Sequence, residues 1–95
     1  MRVKLLRETK QALESHGLSP EDVLWVGRPE LNLKCDWASF AKQANFFYNN
    51  GYGCAEIPMD LVVVGKDWWL ERYEYDGAEW WEFKRPPAGA EGRVG

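Results

Sequence analysis

The architecture depends most on one stretch, Leu61-Val-Val-Val-Gly-Lys-Asp-Trp-Trp-Leu-Glu-Arg-Tyr-Glu-Tyr-Asp-Gly-Ala-Glu-Trp-Trp-Glu-Phe-Lys84, which holds four of the six tryptophans. Asp76-Gly77 lies at its centre, between aromatic-rich runs that favour strands. A two-residue Asp-Gly loop favours a type I′ turn, because both central residues of that turn need positive φ. The stretch therefore predicts an antiparallel hairpin in which Tyr75 pairs with Ala78.

This pairing sorts the hairpin side chains into two faces, because alternate residues of a strand point to opposite sides of a sheet. One face carries Trp68, Leu70, Arg72, Glu74, Glu79, Trp81 and Phe83, and the other carries Trp69, Glu71, Tyr73, Tyr75, Ala78, Trp80, Glu82 and Lys84. The first face has contiguous apolar residues away from the turn, so we expect Trp81 and Phe83 to be buried there. The second face mixes rings with carboxylates, so we expect Trp69 and Trp80 to be partly exposed.

Two helices are predicted before the hairpin. Residues 2–16 contain no Gly or Pro and carry an apolar stripe, so they predict a helix that ends at Gly17. Basic residues in its first turn oppose the helix dipole, so that end either frays or is held by a partner, and of the two we expect fraying. Asp36 caps a second predicted helix over about residues 36–45, whose apolar residues Trp37, Phe40, Ala41 and Ala44 share one face.

Short elements fill the remaining sequence. Ser19-Pro20 predicts a single helical turn, and the apolar runs at residues 23–26 and 61–64 predict strands, the second of them central. Residues 30–34 predict loop or extended chain. The aromatic stretch from Phe46 predicts either a short strand or an ordered loop that covers a sheet edge. The order is α-β-α-β-β-β, with a meander at its end.

The predicted fold class is therefore α+β, with a mainly antiparallel sheet and two helices on one face. A chain of 95 residues suffices for one compact domain, which we place at residues 1–85. Residues 86–95 are rich in Pro, Gly and Ala and predict a flexible tail.

Charge and cysteine content narrow the class of function. The net charge is −3 and the pI is about 5.1, so no basic footprint for direct nucleic-acid binding is present. Residues 60–84 contain seven acidic and three basic residues, whereas residues 1–59 contain seven of each, so the acidity belongs to the hairpin. Cys35 and Cys54 predict reduced, half-buried packing residues. No apolar stretch is long enough for a signal sequence or membrane span, so we expect a cytoplasmic protein.

Catalytic chemistry is not predicted. His16 is the only histidine and lies at a helix end, where it complements the dipole. No nucleophile accompanies it, and Gly51-Tyr52-Gly53 is too short and too aromatic for a phosphate loop. Calcium bound through Asp60 and Asp67 stays open as an alternative, although the spacing matches no EF-hand. We expect no enzyme activity, cofactor or metal.

The acidic residues of the hairpin need an explanation. Glu71 faces Glu82, and Glu74 faces Glu79, and such facing like charges weaken a sheet. Arg72 or Lys84 beside them, or an external cation, would offset the repulsion. Carboxylates beside rings also suit a glycosidase, but a hairpin in so small a domain offers no deep pocket. Solvated acids or a binding surface are the remaining interpretations.

Asp60–Lys84 resembles a group of small, mostly uncharacterised proteins of bacteria and their phages. The resemblance lies in the blocks Gly-x-x-Trp-Trp-Leu-Glu-Arg and Tyr-Asp-Gly-x-Glu-Trp-Trp-Glu-Phe, and it covers about a quarter of the chain, with weaker likeness back to Gly51. No catalytic residue comes with it.

In size, acidity and lack of catalytic residues the chain is also similar to anti-CRISPR proteins, the phage-encoded inhibitors of CRISPR effector complexes, and among these to inhibitors of type I-C systems. This resemblance implies a stoichiometric inhibitor that binds an effector subunit in the bacterial host and blocks recognition of target DNA. Such inhibitors often present carboxylates that imitate DNA phosphates in a basic groove.

The hypothesis assigns partner binding to eight hairpin residues. Glu71, Glu74, Asp76, Glu79 and Glu82 act as phosphate surrogates, and Trp69, Tyr73 and Trp80 supply apolar contact. Two alternatives remain open: an interaction module for an unrelated protein partner, and a small carbohydrate- or ligand-binding domain.

Overall fold

A computed structural model of the protein describes residues 2–51 and 57–86. In chain order the elements are β1 (Arg2–Lys4), α1 (Leu5–Glu14), β2 (Val23–Arg28), β3 (Leu33–Cys35), α2 (Trp37–Gln43), β4 (Phe47–Asn49), β5 (Val62–Gly65), β6 (Trp69–Tyr75) and β7 (Ala78–Lys84). Short 3-10 turns at Pro20–Asp22 and Pro29–Leu31 precede β2 and β3. The predicted α+β class with two helices is confirmed.

Five strands form the main sheet, in the order β3-β2-β5-β6-β7, and every neighbouring pair is antiparallel. β5 is the middle strand, as its apolar, β-branched sequence predicts. β5, β6 and β7 form the predicted meander. β1 and β4 pair in a separate two-stranded sheet.

The hairpin of β6 and β7 has the predicted turn and register. Asp76 and Gly77 have φ angles of 52° and 88°, as a type I′ turn requires. Tyr75 pairs with Ala78, and the pairing continues without a bulge to Trp69 and Lys84. The two predicted faces are therefore the two faces of the sheet.

The hydrophobic core lies on one side of the main sheet, which we call the inner face. It contains Val26, Val63, Leu70 and Trp81 from the sheet, Leu5, Leu13 and Phe40 from the helices, Trp68 just before β6 and Ala44 just after α2. Trp81 is buried, as predicted, at 8% exposure. Phe83 is only half-buried, so that prediction was wrong. β7 is an edge strand, and at Phe83 the covering group is the ring of His16, stacked at 4.0 Å.

The N-terminus differs from the predicted fraying helix. Helix α1 begins only at Leu5, because residues 2–4 pair as a strand with Phe47–Asn49. Arg2 and Lys4 place their cationic groups 5.5 and 5.2 Å from the centre of the Phe47 ring. Strand pairing satisfies backbone groups that a frayed helical turn would leave open. In the aromatic stretch from Phe46, Phe47–Asn49 form the short strand, and Asn50 after it accepts the backbone N–H of Glu79 at the edge of β7, as the alternative interpretation expects.

Helix α2 follows the predicted cap. Asp36 Oδ1 accepts the backbone N–H of Ser39 at 2.9 Å, and this hydrogen bond lowers the pKa of Asp36. The helix ends at Gln43, earlier than predicted. The predicted turn at Ser19 is also present, with a reciprocal hydrogen bond between Ser19 and Asp22. Residues 33–35 are extended and form β3, the strand at the opposite edge from β7.

Candidate functional site: the outer face of the sheet

The side of the main sheet opposite the core carries a mixed group of rings, aliphatic residues and charges, which we call the outer face. Its residues are Trp25, Gly27, Lys34, Val62, Val64, Trp69, Glu71, Tyr73, Tyr75, Ala78, Trp80, Glu82 and Lys84. Among the described residues, both helices bury their apolar side chains in the core on the inner face. The outer face retains half-buried tryptophans and an exposed Tyr73.

The strand register arranges the outer face in rows. Trp25, Val64 and Trp69 are successive partners across β2, β5 and β6, so two indole rings flank one valine. Tyr73 pairs with Trp80 across the hairpin, with ring centroids 5.4 Å apart and planes tilted by 53°. Such a tilted pair is a favourable aromatic contact. The rings therefore form a band across the outer face.

Two hydrogen-bonded pairs of a tryptophan and a glutamate lie at the centre of this band. Trp69 Nε1 donates to Glu71 Oε1 at 2.7 Å, and Trp80 Nε1 donates to Glu82 Oε2 at 2.5 Å. In each pair the two residues are separated by one position on the same strand and therefore lie on the same face. Hydrogen bonds to an ionised acceptor are stronger than neutral ones. The indole donors therefore help to offset the repulsion between the facing Glu71 and Glu82.

The charges on the outer face are balanced. Lys34 Nζ lies 4.5 Å from the centre of the Trp25 ring, a cation–π contact. Lys84 is opposite Trp69 and is exposed. These two lysines accompany the two carboxylates of Glu71 and Glu82. The outer face therefore lacks the one-sided array of acids that a mimic of DNA phosphates requires.

The eight residues of the predicted binding site do not form one surface. Five share the outer face: Trp69, Glu71, Tyr73, Trp80 and Glu82. Glu74 and Asp76 are exposed at the tip of the hairpin. Glu79 is 2% exposed and points into the core, so its assignment as a phosphate surrogate was wrong. Burial requires a carboxylate to find partners inside the protein, and Glu79 has them.

Glu79 belongs to a buried network centred on Arg72. The guanidinium donates from Nη2 to Glu79 Oε1 at 2.9 Å and to the Tyr48 hydroxyl at 2.8 Å, and from Nη1 to Glu8 Oε1 at 3.3 Å. The Tyr48 hydroxyl donates to Glu8 Oε1 at 2.5 Å. The backbone N–H of Ile57 also donates to Glu79 Oε1, at 3.2 Å. The network joins α1, β4, β6 and β7 and is best explained as structural.

Burial and hydrogen bonding shift the pKa values of this network. Burial by itself lowers the pKa of Arg72, but the hydrogen bond to Tyr48 and the charge of Glu8 outweigh it, so the net shift is upward. Burial, together with the hydrogen bond to Glu8, raises the pKa of Tyr48. Arg72 therefore stays charged and Tyr48 stays neutral at physiological pH.

A second set of contacts fixes the indole of Trp81. Its Nε1 donates to the Thr9 hydroxyl at 2.9 Å, and that hydroxyl donates to the Leu5 carbonyl at 2.7 Å. The Arg72 guanidinium lies 4.8 Å from the centre of the same ring. Trp81 is thus a core residue with its polar atom satisfied, whereas Trp80 belongs to the outer face.

Other candidate residues have structural contacts. His16 is exposed, and its Nδ1 lies 3.1 Å from the Ala12 carbonyl oxygen. Asp60 accepts from Arg28 Nε at 2.8 Å. Burial, with the charge of Asp36, raises the pKa of the half-buried Cys35 thiol, which disfavours the reactive thiolate. Tyr52, Gly53 and Cys54 lie outside the described residues.

The part of the chain that the structure describes contains neither a candidate metal site nor a candidate membrane-spanning helix. Residues 2–51 and 57–86 contain no cluster of three or more His, Cys, Asp or Glu side chains that could hold a metal ion. In the same ranges no helix has the length and apolar character needed to cross a membrane. A groove of about 300 Å³ between β3 and α2 is lined mainly by apolar residues, among them Val26, Leu33 and Phe40.

Sequence reasoning missed part of the outer face. Trp25, Lys34, Val62 and Val64 complete it, but residues 23–26 were predicted as a strand with no assigned partner. The alternation of side chains along a strand places Trp25 on the other face of the sheet from the buried Val26. The signal that would join Trp25 to Trp69 is the pairing of β2 with β5, which connects distant parts of the chain.

Comparisons with known proteins identify no relative: no protein-family model, no curated protein and no solved structure matches this chain significantly. The resemblance of the hairpin to phage and bacterial proteins therefore stays a hypothesis.

Proposed function

We propose that this chain is a non-catalytic binding protein that docks the outer face of its sheet on a protein partner in the bacterial cytoplasm. The observation that carries this proposal is the band of half-buried and exposed rings on the outer face, formed by Trp25, Trp69, Tyr73 and Trp80. Tryptophan and tyrosine are enriched among the residues that dominate binding energy at protein interfaces. A regular sheet also limits the ordering cost of presenting these rings.

The partner we propose is a subunit of a CRISPR effector complex, so that the protein acts as an anti-CRISPR inhibitor. This identity rests on the resemblance of the hairpin and on the acidic, compact chain. The contact we propose differs from the mimicry of DNA. Glu71 and Glu82 accept from indole N–H groups, and Glu79 is buried beside Arg72. The rings therefore supply the main contact, and Glu71 and Glu82 orient them.

The two modes of contact predict different salt dependence. A protein that neutralises a basic groove with an array of acids loses affinity steeply as salt rises. An interface dominated by buried rings with balanced charges has a weaker dependence. We expect the affinity of the chain for the effector to fall by less than about tenfold between low and physiological salt, in contrast to a phosphate mimic.

The experiment is inhibition of target-DNA binding by a purified type I-C effector complex. Trp69→Ala and Trp80→Ala alter the outer face, whereas the double variant Glu74→Lys, Asp76→Lys reverses the acids at the exposed tip. We expect the two tryptophan variants to lose inhibition by a factor of ten or more, about the effect of one interface hot spot, and the tip variant to retain it.

Circular dichroism and urea unfolding of every variant provide the folding control. The docking mode is refuted when folded tryptophan variants inhibit as well as the wild type does. Loss of inhibition in the tip variant alone would instead assign the contact to Glu74 and Asp76. A wild-type chain that binds no effector subunit would refute the anti-CRISPR proposal itself.

A further inference from the structure

The outward edge of β7 offers unpaired backbone groups to a second strand. β7 is the last strand of the sheet, so only one of its edges is bonded to β6. In a two-residue hairpin the residues that flank the turn form a hydrogen-bonded pair, and bonded pairs then recur at every second position. Ala78, Trp80, Glu82 and Lys84 therefore direct their N–H and C=O groups to β6. Residues 79, 81 and 83 direct theirs outward.

One hydrogen bond confirms this alternation and limits where the edge is open. The backbone N–H of Glu79 donates to the carbonyl of Asn50 at 2.8 Å, so the residue that follows β4 covers the edge beside the turn. Among the described residues, Trp81 and Phe83 have no such backbone partner outside the hairpin. Arg85 continues this edge, because the following Pro86 favours an extended conformation at the residue before it.

The open part of β7 is complementary to a second copy of itself. In an antiparallel pair centred on Phe83, residue numbers of opposed residues keep a constant sum. Phe83 then faces Phe83 of the second copy, and Trp81 faces Arg85. Glu82 faces Lys84, twice over because of the two-fold symmetry. Each copy therefore places an acid against a base on the outer face.

The hydrogen bond between Glu79 and Asn50 favours the register centred on Phe83 over the register centred on Trp81. A pair centred on Trp81 would place the second strand against Glu79, where the Asn50 carbonyl already accepts the N–H. The pair centred on Phe83 avoids that position. It joins residues 81, 83 and 85 of the two copies through about six backbone hydrogen bonds, two for each opposed pair.

We propose that a second copy of this chain binds at the free edge of β7, so that two five-stranded sheets join into one continuous antiparallel sheet. Unpaired edge strands are templates for such pairing, and a two-fold contact closes after two copies. The joined sheet extends the outer face of each copy into that of the other. The proposal is independent of the proposed function, because it rests on the edge of the sheet rather than on its face.

Charge reversal tests the register. In sedimentation velocity we expect wild-type protein to shift from monomer to dimer as its concentration rises. Glu82→Lys and Lys84→Glu each oppose like charges at two positions, and we expect each to weaken the dimer by about tenfold or more. The double variant Glu82→Lys, Lys84→Glu restores opposite charges and should restore the dimer. An equimolar mixture of the two single variants should form a heterodimer for the same reason.

Hydrogen exchange tests the contact residue by residue. The amides of Trp80, Glu82 and Lys84 are bonded within the hairpin and should be protected at every concentration. The amides of Trp81, Phe83 and Arg85 should gain protection only as the dimer forms. A wild-type chain that stays monomeric at high concentration would overturn the proposal. So would a dimer that tolerates both single charge reversals, because its copies would then meet elsewhere.

Discussion

Arg72 and Glu79 form an ion pair at 2.9 Å in which the two residues are only 4% and 2% exposed. They are diagonal neighbours on the inner face, since Arg72 pairs with Trp81 and Glu79 pairs with Glu74. Through this diagonal contact Glu79, which faces Glu74 across the hairpin, gains a cationic partner and is buried. The hairpin therefore contains a buried ion pair that stabilises its register and whose network joins the hairpin to α1 and β4.

Removing one partner of this pair should destabilise the fold strongly. We expect Glu79→Ala to lower the free energy of unfolding by about 3 kcal/mol and Arg72→Met by about 5 kcal/mol, because a charge left buried without its partner is costly. The larger effect is expected for Arg72, whose loss leaves both Glu8 and Glu79 without a cation. Urea unfolding followed by tryptophan fluorescence measures both.

The matched control is Glu74→Gln, which changes the exposed cross-strand neighbour of Glu79. We expect it to alter the free energy of unfolding by no more than about 0.5 kcal/mol, as for most surface substitutions. Equal stability losses for Glu79→Ala and Glu74→Gln would show that the buried pair has no special role.

The adjacent tryptophans of β7 should respond differently to truncation. We expect Trp81→Ala to lower the free energy of unfolding by some 3–5 kcal/mol, about the cost of emptying a buried aromatic site and enough to unfold much of a small domain. It also leaves Thr9 without the indole donor. Trp80→Ala, on the outer face, should leave the protein folded at room temperature. Thermal unfolding followed by circular dichroism compares the two, and the reverse order of stability would contradict the assignment of faces.

The sequence of the hairpin predicts much of the sheet because its signals are local. Asp76-Gly77 specifies a turn whose geometry fixes the register, and the register then determines which side chains share a face. The same local logic applies to the cap at Asp36. These predictions depend on neighbouring residues alone, and the structure confirms them.

The remaining features depend on contacts between distant residues. Nothing near Arg2–Lys4 signals that this segment pairs with Phe47–Asn49. The helix predicted from local propensity therefore begins too early. Glu79 carries no local sign of burial, because its partners Arg72 and Ile57 come from other segments. The prediction of the outer face was incomplete for the same reason. Long-range strand pairing brings Trp25 beside the hairpin, and no short pattern encodes it.

Gly27 should be intolerant of a side chain. A Cβ atom at this position would lie 2.1 Å from the carbonyl oxygen of Leu33 on the neighbouring strand β3. We expect Gly27→Ala to separate β2 from β3 and to lower the free energy of unfolding by about 3 kcal/mol, the upper range for overpacking. Gly17→Ala is the control, because Gly17 has φ +71° with no atom near the added Cβ, so its cost is backbone strain of about 1–2 kcal/mol. A Gly27 variant as stable as the wild type would contradict the close approach.

Tyr48 should make the fold sensitive to alkaline pH. Burial and the hydrogen bond to Glu8 raise its pKa in the folded state, whereas in the unfolded chain the pKa is about 10. The unfolded state therefore loses its proton first as pH rises, and the stabilisation from this group is complete below about pH 10 and declines above it. The expected slope is at most about 1.4 kcal/mol per pH unit for one proton.

Tyr48→Phe should lower stability at neutral pH but flatten the decline above pH 10, roughly the unfolded pKa. Urea midpoints measured across this range test it, with Tyr75→Phe as the control because that side chain is 70% exposed. An unchanged alkaline slope in Tyr48→Phe would show that another group controls the loss of stability.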